Sequence, residues 1–305
     1  MISNGCPATG FCVDLYSMIG IILMALLLPT CTGNIQDQKF LPVAGIVNAR
    51  DLGGYYSTDE GKTVRSGCLF RSASLADAND KDLTFFADIP VGTVVDFRMD
   101  FELRGKEDKA IPGARYVRLP VNSSGMDLTN EDAKELSRHK SFDVKKFIMI
   151  AAFNKRAQTI AREMYPTMVT DPACQRQFSA FLQMVVNADS AILFHCTQGK
   201  DRTGLAAAYL LSALGVDRDT VIKDFDATNA IYAKHVKRIS RRIRFWGGKD
   251  EEIETVKAFI GANTENFIKA LDLIDLRYGS MREYLRGPLG LSENDIQRLK
   301  DRYLE

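Results

Sequence analysis

Ala191-Ile-Leu-Phe-His-Cys196-Thr-Gln-Gly-Lys-Asp-Arg202-Thr-Gly204-Leu-Ala-Ala-Ala208 passes from a short apolar run through a polar loop into a run of small apolar residues. A buried strand that feeds a helix through such a loop is the context of an anion site. Successive backbone N–H groups of the loop turn inward as a nest, and the helix that starts near Arg202 adds the positive end of its dipole. A tetrahedral phosphate dianion suits that space, and the same field favours a thiolate over a thiol at Cys196, where the loop begins. Five residues separate Cys196 from Arg202. That spacing lets the loop curl so that the guanidinium returns over the bound group and holds two of its oxygens with its planar fork. Gly199 suits a bend at positive φ. The expected phosphate-binding set is therefore Thr197, Gln198, Gly199, Lys200, Asp201 and Arg202. Thr203 offers a hydroxyl to the sulfur, and His195 orients the loop through hydrogen bonds rather than serving as acid or base. The bland alternatives are an inert buried cysteine ahead of a helix, and a Lys200 and Asp201 that are merely solvated or paired with each other.

Outward from this stretch, Gly204 to Leu214 reads as a buried helix closed by Gly215, with Asp217 placed to cap the next one. Thr63 to Phe70, Gly92 to Phe97, Ala114 to Val121 and Ala191 to His195 are the strand candidates. Helical periodicity covers Thr129 to His139, Asp143 to Tyr165 and Asp171 to Val186, with breaks at Pro166 and Pro172. The C-terminal third is helical and amphipathic, and Ser292 is placed to cap the last helix. Short β-branched segments alternating with long helices predict an α/β domain, a mostly parallel central sheet flanked by helices. No internal repeat or low-complexity linker interrupts it. The run Lys237-Arg-Ile-Ser-Arg-Arg-Ile-Arg-Phe-Trp246 places five cations within eight residues beside the only tryptophan. It reads either as a solvated helix face or as a surface rim that attracts a phosphate-bearing substrate or anionic lipid.

The form His-Cys-x-x-Gly-Lys-Asp-Arg-Thr-Gly, residues 195–204, resembles the active-site loop of cysteine-based tyrosine phosphatases, and in particular the bacterial secreted tyrosine and dual-specificity phosphatases that also accept phosphoinositides. Asn48-Ala-Arg-Asp-Leu-Gly-Gly54, Leu69-Phe-Arg-Ser72, Val94-Val-Asp-Phe-Arg98 and the ending from Tyr278 to Ser292 are similar to that family too, so the resemblance spans about residues 40 to 305. It implies a tyrosine-phosphatase-like fold with a helical insertion or lid, the latter from the stretches around residues 129 to 165 and 234 to 275. It implies a two-step displacement in which Cys196 attacks phosphorus and water then hydrolyses the thiophosphate, with no metal and no cofactor. The expected substrates are phosphotyrosine, with dual specificity, or phosphoinositides. An inactive phosphate-binding module would not need both Cys196 and Arg202, and a rhodanese-type sulfurtransferase lacks the His-Cys start and the Arg-Thr-Gly close.

Both steps need an acid or base beside the travelling oxygen, usually an aspartate. Eukaryotic dual-specificity relatives place it after the strand that precedes the helical insert, where Val117-Arg-Leu-Pro-Val-Asn122 offers an asparagine with no proton to titrate. The bacterial subfamily carries an aspartate inside the loop, which maps to Asp201, the first choice. Asp96, at a strand end, is second, and Asp127, in a glycine-containing turn, is third. Lys200 is expected at the pocket mouth, where a cation favours substrates with additional phosphates.

Forty basic residues against thirty-nine acidic ones leave a formal charge of +1, so no global field argues for nucleic acid, and any attraction for anions is local. Among the six cysteines no CxxC spacing suggests a zinc site or a disulfide scaffold, and Cys68 and Cys174 read as buried apolar thiols. No charged residue occurs between Asp14 and Asp37, and Met18-Ile-Gly-Ile-Ile-Leu-Met-Ala-Leu-Leu-Leu28 is about the length of a signal-peptide core. It falls short of the roughly 20 apolar residues of a bilayer span. Residues 1–33 are thus expected to be a signal or lipoprotein-like segment ahead of a single catalytic domain over 40–305. Leu28-Pro-Thr-Cys31 resembles a loose lipoprotein cleavage box with Cys31 as the lipidated residue, which would make the protein exported, periplasmic or at the cell surface, with membrane association through this segment. Against this, no Lys or Arg precedes the run, and an uncleaved anchor or a buried helix are the alternatives.

Overall fold

In the computed structural model, residues 40–122 and 155–305 are described. The N-terminal apolar run, Cys31, Asp127 and the expected helix over 129–139 lie outside them. The chain enters through β1 (Arg50–Asp51), forms a small hairpin of β2 (Tyr56–Ser57) and β3 (Lys62–Thr63), and returns as β4 (Leu69–Ser72). Then come α1 (Asp80–Ala87), β5 (Val91–Asp96), the one-turn α2 (Asp100–Leu103) and β6 (Arg115–Arg118). Two helices, α3 (Lys155–Thr170) and α4 (Pro172–Val186), lead into β7 (Ala191–His195). The C-terminal third is α5 (Asp201–Ala213), α6 (Arg218–Phe245), α7 (Asp250–Ile260), α8 (Thr264–Tyr278), α9 (Met281–Arg286) and α10 (Glu293–Tyr303).

The main sheet has the order β1-β4-β7-β5-β6, with β4, β7, β5 and β6 parallel and β1 antiparallel at the edge. Every residue of β7 is buried, as expected for a central parallel strand covered on both faces. One face carries α4, α5 and the C-terminal helices, where Phe97, Phe178, Phe181, Phe194 and Tyr209 pack at centroid distances of 4.9 to 6.4 Å. The other packs Phe70 against Phe86 of α1. The sheet register sets Ser72, His195 and Asp96 side by side at the C-terminal ends of three parallel strands. That edge is where open α/β sheets bind ligands, and the loop 196–200 emerges from its middle.

Two sequence expectations are corrected here. Thr63 to Phe70 is not one strand: Gly67 at φ 79° turns the chain, so Thr63 pairs in the hairpin while Leu69–Ser72 enters the main sheet. Pro166 does not end a helix, since α3 runs on to Thr170. An internal proline costs about 3 kcal/mol, and the full burial of Tyr165, Met168 and Val169 on one face supplies the compensating packing. Pro172 behaves as read, at the first turn of α4 behind the capping Asp171. Gly215 at φ 78°, Asp217 capping α6 and Ser292 capping α10 also stand as expected. Cys174 is buried, with its thiol pushed up to about 12 by burial and then by Asp171, but Cys68 is only partly buried.

Candidate active site

Cys196 sits at the end of β7 with 2% of its surface exposed, and α5 begins five residues on at Asp201. The loop between them is held from outside through its carbonyls. The Thr197 carbonyl accepts from the Ser74 amide at 3.3 Å. That of Gln198 accepts from the Tyr232 hydroxyl at 2.8 Å and from Asn48 Nδ2 at 3.3 Å. That of Gly199 accepts from Asn48 Nδ2 at 2.8 Å and Arg71 Nη2 at 2.9 Å. Among the described residues no peptide bond is cis. A trans peptide points its N–H opposite its C=O, so three carbonyls tied outward leave the amides of Gln198, Gly199 and Lys200 facing inward, the nest that the sequence implied.

Gly199 has φ 65°, and a Cβ there would lie 2.3 Å from the Ser72 carbonyl. Gly199→Ala is therefore expected to cost about 3 kcal/mol or more, strain and overlap together. Thermal unfolding of the purified variant checks this; an unchanged midpoint would show that the loop tolerates a side chain.

Behind the loop lies a buried charge cluster. Asp224 of α6 accepts from Arg50 Nε at 3.0 Å, from Tyr55 Oη at 3.0 Å and from Arg71 Nη1. Arg50 also donates to Asn48 Oδ1 at 2.6 Å, which orients the Asn48 amide toward the loop. Burial opposes the Asp224 charge, but the two guanidiniums outweigh it and hold the carboxyl at about 2. Arg71 is lowered to about 10 by burial and by Arg50, with Asp224 opposing. Two cations against one anion leave net positive charge under the site.

Arg202 is 7% exposed and lies on Glu102 of α2. Its Nη1 donates to Glu102 Oε2 at 2.6 Å and to the Phe97 carbonyl at 3.1 Å, and its Nη2 donates to Glu102 Oε1 at 2.7 Å. Of five guanidinium N–H bonds, these use three. The Nε–H and the remaining Nη2–H form one edge of the fork, the pair suited to bidentate contact with an oxyanion. Burial opposes both charges, and each partner overrides it for the other: Glu102 is lowered and Arg202 raised. Glu102, which also accepts from the Thr197 hydroxyl, was not singled out in the sequence. Its signal was a carboxylate four residues after the Val-Val-Asp-Phe-Arg98 segment, indistinguishable there from a surface helix charge.

Asp201 accepts a 2.6 Å hydrogen bond from Tyr165 of α3 and lies 3.5 Å from Lys200 Nζ. Lys200 is not at a pocket mouth. It is 2% exposed and donates to the Gly261 carbonyl at 2.7 Å, and burial lowers its pKa despite Asp201. The Thr203 hydroxyl is buried without a hydrogen-bond partner, so the expected bond to the sulfur is not formed here. Asp96 is unsuited to acid catalysis: Arg98 grips it at 2.8 to 3.0 Å beneath the loop, and Arg98 also reaches Asp108 at 2.6 Å. Asp96, Asp108 and His195 offer three donor atoms within 4.8 Å of one another, a possible cation-binding set by composition. Arg98 already bonds both of its carboxylates, and a metal would have to displace that guanidinium. Of the basic run on α6, Lys237, Arg241 and Arg244 line a groove with Lys257 and Gly261, and Phe245 and Trp246 stand exposed beyond it.

A tyrosine phosphatase family model matches residues 41–305. The chain belongs to the tyrosine phosphatase family. It is 28% identical over 271 residues to a Cupriavidus necator protein that carries the name of a tyrosine-protein phosphatase, covering 89% of this chain and 90% of that one. With the triple specificity protein phosphatase PtpB of Mycobacterium tuberculosis it shares 27% identity over 275 residues, 84% of this chain and 96% of that one. A tyrosine-protein phosphatase of Nostoc commune is 30% identical over 206 residues, 64% of this chain and 69% of that one. As a member of the tyrosine phosphatase family the chain is a phosphatase, a hydrolase of phosphate esters, and its mixed sheet flanked by helices is the corresponding α/β fold.

Proposed function

We propose that this phosphatase hydrolyses phosphotyrosine, and with it other protein phosphomonoesters, through a thiophosphate on Cys196. The observation that carries the reading is the loop itself: carbonyls tied outward, amides left inward, a cysteine at its start and a guanidinium edge left over by Glu102 at its end. In the first step the Cys196 thiolate forms a bond to phosphorus while the ester P–O bond breaks, and the departing oxygen takes a proton from Asp201. In the second, water adds to phosphorus, gives a proton back to the Asp201 carboxylate, and the P–S bond breaks to release phosphate and the thiolate. Arg202 and the loop amides hold the three equatorial oxygens, where charge accumulates in both transition states.

The Tyr165 hydrogen bond, which fixes the rotamer of Asp201 at the start of α5, supports this role. Asp201→Asn is expected to lower kcat about 100-fold or more. The loss should be largest on phenyl phosphate, whose poor leaving group needs the proton, and smaller on p-nitrophenyl phosphate. Equal losses on both esters with an unchanged pH profile would remove Asp201 from the role. Turnover of p-nitrophenyl phosphate should also proceed without added metal and survive EDTA.

A second reading, a phosphoinositide phosphatase with the same loop, is favoured by the cations of α6 beside Gly261. A panel of phosphotyrosine and phosphoserine peptides against phosphoinositide vesicles separates the two. Expected is preference for the phosphotyrosine peptide, and a higher kcat/KM on vesicles would reverse the assignment. Export through the N-terminal segment, with Cys31 as a lipid anchor, belongs to the same proposal and is checked by mass spectrometry of the mature N-terminus.

A further inference from the structure

Asp96, Arg98 and His195 lie buried beneath the loop, Asp108 is half-buried beside them with its side chain 7% exposed, and the four take no part in the chemistry above. His195 is fully buried. Its Nδ1 lies 3.2 Å from the Cys196 carbonyl oxygen and 3.8 Å from Asp96 Oδ1, while its Nε2 lies 3.1 Å from Asp108 Oδ2. Each ring nitrogen thus has an oxygen close by, although Nε2 meets Asp108 at ion-pair distance and not as a hydrogen bond. A neutral imidazole would leave one bare nitrogen beside an oxygen, whereas the imidazolium sets a positive charge beside both. Charge counting agrees. Arg98 offsets one of the two carboxylates, and a protonated His195 offsets the other. A neutral ring would leave one negative charge buried and uncompensated, an arrangement proteins avoid.

We propose that Asp108 is a positioning residue that keeps His195 protonated as an imidazolium directly behind Cys196. The proton count stands on its own, and its consequence for phosphate rests on the phosphatase reading. Asp108 is itself well fixed, since it accepts from the Leu75 amide at 2.8 Å and from Arg98. Burial works against the imidazolium, but Asp108 and then Asp96 outweigh it and raise the His195 pKa; burial likewise works against the Asp108 carboxylate, and His195 and Arg98 keep it ionised. The other charged groups nearby do not change the count. Glu102 and Arg202 beyond Arg98 cancel each other, and the Tyr116 hydroxyl beyond Asp108 donates to the Lys109 carbonyl. From β4 the register neighbour is Ser72, which carries no charge. With His195 charged, the group of Asp96, Arg98, Asp108 and His195 adds no net charge behind the anionic thiolate and phosphate; with it neutral, the group adds one negative charge to the field of the Arg50, Arg71 and Asp224 cluster.

The chain has three histidines, so ¹⁵N spectra of the imidazoles of the full protein are readily assigned, with His195→Asn identifying the ring in question. Expected is an imidazolium pattern for His195 that persists at pH values where a free imidazole has already become neutral. In Asp108→Asn, which keeps an acceptor for the Leu75 amide, the same ring should be neutral at pH 7. Binding of sulfate, a dianion at every working pH, should then weaken about tenfold, the effect of one nearby charge at an intermediate dielectric. A His195 ring with one bare nitrogen at pH 7 in the unaltered protein would overturn the proposal, whatever the variants do. A ring that stays charged in Asp108→Asn would assign the effect to Asp96 and overturn the role of Asp108. Because the spectra read protons and not turnover, they decide this point even if the phosphatase reading fails.

Discussion

Cys196→Ser is expected to reduce turnover of p-nitrophenyl phosphate by about four orders of magnitude or more while the protein still binds phosphate. The size follows from what is removed. Without the sulfur there is no covalent intermediate, and single removal of a nucleophile costs as much as dismantling its whole catalytic group, because the remaining parts have nothing to assist. Binding survives because it rests on other atoms: the inward amides of Gln198, Gly199 and Lys200 and the free edge of Arg202. Serine replaces the sulfur by a slightly smaller oxygen at a 2% exposed position, so the loop has no reason to rearrange. The measurement is a progress curve for the variant at high enzyme concentration together with calorimetric titration of phosphate. A variant that keeps more than about a hundredth of the activity would mean that Cys196 does not form the bond to phosphorus.

The second large effect is on the scaffold. Asp224→Asn is expected to destabilise the fold by about 3–5 kcal/mol, the cost of leaving buried charge without its partner. Arg50 and Arg71 share this one carboxylate in a region with almost no exposed surface, and an amide cannot offset either cation. At about 2–4 °C per kcal/mol for a domain of this size, the melting temperature should fall by roughly 10 °C. The same carboxylate sets an acid limit. Its folded value of about 2 lies below the unfolded value, so its contribution is complete above about pH 4 and disappears as the pH falls toward 2. The His195 contribution has the opposite sense: a raised folded pKa gives stability that is present at low pH and is lost as the pH rises through it. Thermal melts of the native protein and of Asp224→Asn across the pH range test both limbs. A melting temperature within about 2 °C of the parent at pH 7 would show that the two arginines find other partners.

Legibility differed from residue to residue for physical reasons. The positions of Cys196, Gly199 and Arg202 could be read because they rest on local chain geometry: a cysteine at a strand end, a positive φ, a cation at the start of a helix. Gly215, Asp217 and Ser292 were readable on the same ground, since a helix end is decided by a few neighbouring residues. Lys200 was misplaced because nothing local shows that the Gly261 carbonyl, far along the chain, draws its ammonium group inward. Glu102 and Asp108 escaped notice for a related reason. A carboxylate on a short exposed-looking helix or loop looks ordinary until the sheet brings a guanidinium or an imidazole against it. The segments around Asn48–Gly54 and Leu69–Ser72 were legible as a family likeness only, and their purpose came from the fold, which turns Asn48, Arg50 and Arg71 toward the back of the loop.

The order of residues from Ala191 to Ala208 by itself determined the chemistry, because a strand, a nest of amides, a sulfur and a guanidinium in that succession can bind a tetrahedral anion wherever they occur in a chain. Only the tertiary structure decided which charges surround that loop. Glu102, Asp108 and Asp224 reach it from parts of the chain far apart in sequence, and the energy of a buried charge depends on distances of a few ångströms that no linear spacing records.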